Sequence, residues 1–388
     1  MNTGAGWVPV ALSVLLVLAC LFALFLIWVL AVRRYYRLRS ERPAQQRVRC
    51  ADGWELTVFH RAPAVRRFEE PVLLVHGLAA NHYTFDFDPP YSLAHVLADA
   101  GFECFSVDLR GTGRSRRPPR GLRAQWTVDD HVTLDAPALI RHALEATGAS
   151  RVLWVGHSLG GLIGYAVAQG PEAKRLAGLV ALGSPVRFRF APWLKLALGL
   201  GVLTAWPFNF RQTLVSIALA PFLGYVNVPL SSVVANTRHI EPRVQRQVYA
   251  HLMSTMGHRV LSQFSDWVFH DAFRSRDQSV DWRAGLADLS LPLLVMGGRA
   301  DRLAPPEALE AQYALAGSED KRLVILGTPE GMGMDYGHGD LLYGTGVPTE
   351  VHPRIREWLR EHATPWTRDV AAAGHLAGSL KAPETRDR

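Results

Sequence analysis

The chain has 388 residues, 48 % of them hydrophobic, and a formal net charge of +7. That length and apolar content hold one anchor plus one large core. Three cysteines make no disulfide framework and suit a reducing compartment, and the basic excess is too local to mark a nucleic-acid surface.

Val8–Val32 is an apolar stretch of 25 residues interrupted only by Pro9 and Ser13, longer than the ~20 that span a bilayer core. Trp7, Trp28, Tyr35 and Tyr36 suit interfacial positions. A cleaved signal peptide carries its positive charge ahead of the apolar run. Here Met1–Gly6 has none, and seven arginines against one glutamate follow between Arg33 and Arg49. That flank supplies almost the whole net charge. The positive-inside rule then predicts a single-pass anchor over 1–32, a basic juxtamembrane linker over 33–45, and a domain on the cytoplasmic side. Each arginine near an anionic leaflet contributes ~1 kcal/mol, so the linker is expected close to the headgroups.

Beyond the linker, Val48–Cys50 and Glu55–Phe59, joined by Asp52-Gly53, predict an antiparallel hairpin. Pro71–Val75 predicts a strand running into His76-Gly77-Leu78, and Cys104–Val107 predicts another. Asp130–Thr147 reads as a helix. Then comes Arg151–Val155, the pentapeptide Gly156-His157-Ser158-Leu159-Gly160, and a small-residue helical run, Leu162–Ala168. Strand, sharp turn and helix are the context of a G-x-S-x-G nucleophile elbow. The turn strains the serine backbone and lifts its Oγ clear of the sheet, at a helix N-terminus that favours negative charge.

Leu179–Leu182 is the next strand. Residues 185–285 belong to no strand and carry apolar helical segments at Trp193–Leu203, Leu214–Leu223 and Val244–Met256, read as a helical cap. Its greasy runs fit a buried core, an acyl-chain pocket or a lid face resting on a membrane. Leu293–Gly298 and Arg322–Leu326 predict two further strands, and Arg354–His362 a helix. The core is thus split into 46–184 and 286–365, strands alternating with helices as in a mostly parallel sheet. Residues 366–388 read as a disordered tail.

A serine hydroxyl is a weak nucleophile at neutral pH, so an elbow needs a base and an orienting acid downstream. Asp301, in the loop leaving the Leu293–Gly298 strand, is the expected acid, and His338, in the loop after Arg322–Leu326, the expected base. The carboxylate would fix the imidazole tautomer and stabilise the imidazolium. Asp340 lies too close to His338 in sequence to be the orienter, and Asp335 and Asp266 are further rivals. Backbone amides of Leu159 and Leu78 are the expected oxyanion hole. His76 fits the oxyanion loop better than a base, and His157 is expected to point away from Ser158. No C-x-x-C, HExxH, P-loop or strand-following G-x-G-x-x-G occurs, so neither metal nor cofactor is implied.

Arg110, Arg114, Arg116, Arg117, Arg120 and Arg123 follow the strand ending at Asp108, on the sheet edge that carries the elbow. They form either a solvated loop or a patch that tilts the mouth toward anionic lipid.

On His76-Gly77, Asp108-Leu109-Arg110-Gly111, Gly156–Gly160, Asp301 and His338, the chain from about 46 to about 362 resembles an α/β-hydrolase. Ser92-Leu93-Ala94, Ala98–Gly101 and the His-x-Asp at 338–340 are similar to the acid-lipase group. That closing pattern also resembles polyhydroxyalkanoate synthases, whose elbow carries cysteine where this chain has Ser158. With the anchor predicted above, the resemblance implies a membrane-anchored serine hydrolase acting on carboxylic esters of apolar acyl chains. An acyltransferase using the same acyl-enzyme and a non-catalytic lipid-binding protein are the alternatives. Aspartate-nucleophile chemistry is disfavoured by the serine at the elbow.

Overall fold

Eight strands organise the chain: β1 (Ala44–Arg49), β2 (Glu55–Arg61), β3 (Val72–Val75), β4 (Cys104–Asp108), β5 (Val152–His157), β6 (Leu176–Leu182), β7 (Leu293–Gly298) and β8 (Lys321–Leu326). The computed structural model describes residues 7–41, 43–117, 125–205, 213–223 and 231–367. The strands form one sheet in the order β1-β2-β4-β3-β5-β6-β7-β8. β2 runs antiparallel to β1 and β4, and every other pairing is parallel. This is an α/β-hydrolase fold, a mostly parallel sheet flanked by helices.

Every residue of β3 to β7 is buried, as a parallel sheet covered on both faces demands. The period of two divides the strands between two cores. Leu73, Val75, Trp154, Leu179 and Val295 face the side of helices Ala136–Thr147 and Leu159–Val167. Val72, Leu74, Leu153, Val155, Val180 and Leu294 face helices Leu93–Asp99 and His352–Glu361. Each fully buried Val or Leu stabilises the fold by roughly 1.5–3 kcal/mol against the exposed chain.

The helix expected over Asp130–Thr147 is interrupted. One turn, Val128–Asp130, passes into a wide π-turn, His131–Asp135, before the regular helix Ala136–Thr147. Pro137 has no N–H for the preceding turn, and the Asp135 side chain is committed to Arg110. The run Leu214–Leu223 is also shorter as a helix: Thr213–Leu219 ends in a 3-10 turn, Ala220–Phe222, at Pro221. Val244–Met256 becomes Pro242–His251. A further helix, His258–His270, falls where the sequence reading assigned none.

The helices Thr213–Leu219, Pro242–His251 and His258–His270, with Pro192–Ala205, lie in the connection between β6 and β7. A long helix, Trp7–Tyr35, precedes the sheet. Within it, Pro9–Tyr35 is the one helix among the described residues long and apolar enough to cross a membrane. The segment after it is not a free tether. The Arg39 and Ser40 N–H groups donate to the Asp88 carboxylate at 2.7 to 2.8 Å, and Arg47 bonds Thr57 and the Arg114 carbonyl. Arg42 and residues 368–388 of the expected tail lie outside the described residues.

Candidate active site

The pentapeptide forms the turn its spacing predicts. β5 ends at His157, and Ser158 stands at φ +53° and ψ −119° as the N-cap of helix Leu159–Val167. For a residue with a Cβ this backbone is strained. It is held by the Ser158 N–H donating to the Leu182 carbonyl at 2.8 Å and by the Gly161 and Leu162 N–H groups returning to the Ser158 carbonyl. A Cβ on Gly156 would overlap the Gly160 carbonyl group, and one on Gly160 would overlap the Val75 carbonyl. Only glycine lets strand, turn and helix approach this closely.

Asp301 leaves the end of β7 and His338 the loop after β8. β8 lies three strands from β5, about 14 Å at the usual strand spacing, so its loop must travel back. It does: the Ala300 N–H donates to the Tyr336 carbonyl at 2.8 Å, and His338 reaches the Gly183 backbone at the end of β6. There the His338 Nδ1–H donates to Asp301 Oδ2 at 2.8 Å. The other Asp301 oxygen accepts the Leu303 and Ala304 N–H groups, both at 2.8 Å. An ionised carboxylate can only accept, so Nδ1 holds the proton and Nε2 presents its lone pair. Both residues are buried. No hydrogen bond joins the Ser158 hydroxyl to His338 among the described residues, a contact that apo sites often close only with substrate.

The His157 side chain reaches the histidine loop. Its Nε2–H donates to the His338 carbonyl at 3.2 Å, with ring centroids 4.6 Å apart. Burial, then the neighbouring His338, holds its pKa well below the usual histidine range, so it stays neutral. His76 donates from Nδ1 to the Gly77 carbonyl at 2.7 Å and accepts the Leu109 N–H at Nε2. Burial pulls it down to about 4. It thereby ties the loop after β3 to the loop after β4.

Leu78 and Leu159 line one cleft of about 20 Å³, with Thr112, Trp126, Met256 and Val260. That is room for about one water molecule. Neither amide N–H has an acceptor among the described residues. A separate cleft of about 690 Å³ opens at Asp301, its lining including Asn236, Arg238, His239, Arg299 and Arg302.

The rival carboxylates stand elsewhere. Asp335 closes a turn with Thr328, and Asp266 pairs with His270 and Arg274. Asp340 is buried, accepting the Gly337 N–H at 2.7 Å and the Asn236 N–H at 2.9 Å. Burial first raises its carboxyl pKa.

The arginine cluster divides. Arg110 is 1 % exposed and belongs to no surface patch. It bonds Asp135 at 2.7 to 2.8 Å and Asp52 at 2.8 Å, while His131 Nδ1 reaches the other Asp135 oxygen at 2.8 Å. A guanidinium this deep is tolerated only because its charge is met. Arg114, Arg116 and Arg117 are exposed. Arg120 and Arg123 lie outside the described residues.

Comparison with known proteins agrees with this fold. The alpha/beta hydrolase fold family matches residues 70–327. Rat lysosomal acid lipase/cholesteryl ester hydrolase is 28 % identical over 360 residues, covering 81 % of this chain and 88 % of that one. Triacylglycerol lipase 2 of Arabidopsis thaliana is 37 % identical over 103 residues, a quarter of each chain (25 % and 24 %). An esterase from Thermogutta terrifontis shares the fold at a TM-score of 0.58 and 22 % identity, over 83 % of this chain and 100 % of that one. The chain belongs to the alpha/beta hydrolase family.

Proposed function

We propose that the protein is a membrane-anchored serine hydrolase that cleaves carboxylic esters of apolar acyl chains. The observation that carries this reading is the His338–Asp301 pair, at 2.8 Å, folded back toward the elbow that strains Ser158. Ser158 attacks the ester carbonyl while His338 Nε2 takes its proton. The Leu78 and Leu159 amides hold the oxyanion. His338 then protonates the departing alcohol, and water repeats the sequence on the acyl-enzyme. Asp301 keeps the imidazole in the right tautomer throughout.

The lipase names among the relatives support a lipid ester as substrate. The helix Pro9–Tyr35 serves as a single-pass anchor, and the arginines that follow it hold the catalytic domain on the cytoplasmic side. On this reading 46–184 and 286–365 form the catalytic core, and 185–285 its cap. The purified full chain is labelled with a fluorophosphonate serine probe beside Ser158→Ala. Labelling that disappears in the variant is the expected result; equal labelling of both, or none of a well-folded wild type in lipid, overturns the proposal.

A further inference from the structure

The helix Thr213–Leu219 and the 3-10 turn that continues it read Thr-Leu-Val-Ser-Ile-Ala-Leu-Ala-Pro-Phe, without one charged residue. A segment apolar around its whole circumference requires every face to be covered. One face is. Ile217 and Ala220 pack with Val29, Val32 and Tyr36 of the N-terminal helix and with Ala250. The other is bare: Leu214, Val215, Leu219 and Phe222 are 41 to 59 % exposed. Val215, Leu219 and Phe222 have the i, i+4, i+7 spacing that lines side chains along one stripe.

We infer that this stripe is a membrane-insertion surface, which seats the β6–β7 insertion in the bilayer interface alongside the N-terminal span. The inference rests on the reading of Pro9–Tyr35 as that span. It makes the catalytic domain a body resting on the membrane, with its insertion partly immersed.

Continuity with the span fixes the occupant as lipid. Trp28 bonds Ala218, and Phe25 packs on the same cluster. They precede Arg33 by five and eight residues, roughly 7 and 12 Å along the helix axis. A headgroup region is roughly 5–7 Å thick on each side of the hydrocarbon. The contact therefore reaches the headgroup–hydrocarbon boundary and passes it.

Two polar groups of the segment are satisfied from within the protein, as lipid requires. Pro221 has no N–H to offer the Ala218 carbonyl three residues back. The Trp28 indole N–H donates to that carbonyl instead, at 3.1 Å. The Ser216 hydroxyl donates to the Tyr249 carbonyl at 2.6 Å. A protein partner would have to cover Phe222 and the span together, because the Trp28 and Phe222 ring centroids lie 6.3 Å apart. A bilayer does so with no further part. The helix before this segment in the chain, Pro192–Ala205, also exposes an apolar stripe, Trp193, Leu196 and Leu200.

The chain carries its own control. Cys20 is exposed in the span and the other two cysteines are buried, so an environment-sensitive fluorophore on native Cys20 reports the span. The same fluorophore is placed at Phe222→Cys, Val215→Cys and, as a distant reference, Lys174→Cys, each in a Cys20→Ser background. The full-length proteins are reconstituted in phosphatidylcholine–phosphatidylglycerol vesicles containing acyl-chain nitroxide lipid. Quenching at 20, 215 and 222 but not at 174 is the expected result. Quenching at 20 with none at 215 and 222 overturns the inference and leaves the span; no quenching at 20 overturns the span itself. In parallel, Phe222→Asp is expected to lower hydrolysis of a vesicle-borne long-chain ester several-fold relative to a soluble short-chain ester. An unchanged ratio overturns the inference.

Discussion

The Asp340 carboxylate accepts the Asn236 N–H at 2.9 Å and so ties the histidine loop to the β6–β7 insertion. Two backbone bonds reinforce the link, Gly339 N–H to the Val234 carbonyl and Thr345 N–H to the His239 carbonyl, at 2.7 and 2.8 Å. The other Asp340 oxygen holds Gly337, the residue before His338. For the proposed triad Asp340 acts as a positioning residue, on His338 through the loop. An Asp340→Asn side chain would set an amide N–H against one of the two donors. We expect a cost of about 1–3 kcal/mol in stability and a lower kcat with little change in KM. Calorimetry and steady-state kinetics on a soluble ester check both; an unmoved kcat would refute the positioning role.

Within the proposed triad, Asp301→Asn preserves shape but reverses the hydrogen bond to His338 Nδ1. It is expected to lower kcat by about 10⁴, as is His338→Ala, with melting temperatures near wild type. Pre-steady-state kinetics with a chromogenic ester should show the acylation burst lost in each.

Acid sensitivity follows from Asp135. Burial raises its carboxyl, but the His131 hydrogen bond and the Arg110 charge outweigh this and hold it at about 2. The folded value lies below the unfolded one, about 3.9. The stabilisation is therefore complete above pH ~4 and lost as the pH falls from about 4 toward 2, on the order of 2 kcal/mol. Urea unfolding midpoints through that window report it. Asp135→Asn should flatten the dependence while costing about 3–5 kcal/mol, because Arg110 is left buried and under-paired.

The arginines after β4 should separate into two classes. Arg110→Met strikes the buried network and lowers stability strongly. Arg116→Glu with Arg117→Glu, both exposed, should stay within about 0.5 kcal/mol of wild type yet weaken action on anionic vesicles. Equal loss on vesicles and on a small soluble ester would remove the lipid-facing patch.

The elbow was legible because its constraint is local: two glycines, a serine and their flanking strand and helix lie within a few residues. The meeting of Asp301 with His338 was legible from strand order. Contacts that join distant positions left no such mark. Nothing in the periodicity around Arg110 announces Asp135, and nothing near His157 announces the His338 carbonyl. Helix His258–His270 did leave a signal in Val260, Leu261, Phe264, Trp267 and Val268, spaced for one helical face. Pro221 shortened a helix whose composition alone ran to Leu223.

Met256 and Val260 share with Leu78 and Leu159 the lining of a cleft of only about 20 Å³. An acyl carbonyl with its tetrahedral surroundings cannot enter that volume. On the proposed mechanism the first event of turnover is then mechanical, the unpacking of Met256 and Val260 from that cleft. The steepness of the rate with temperature will report that unpacking before it reports bond-making. Trimming Met256 to alanine should flatten the slope while leaving the acylation chemistry alone.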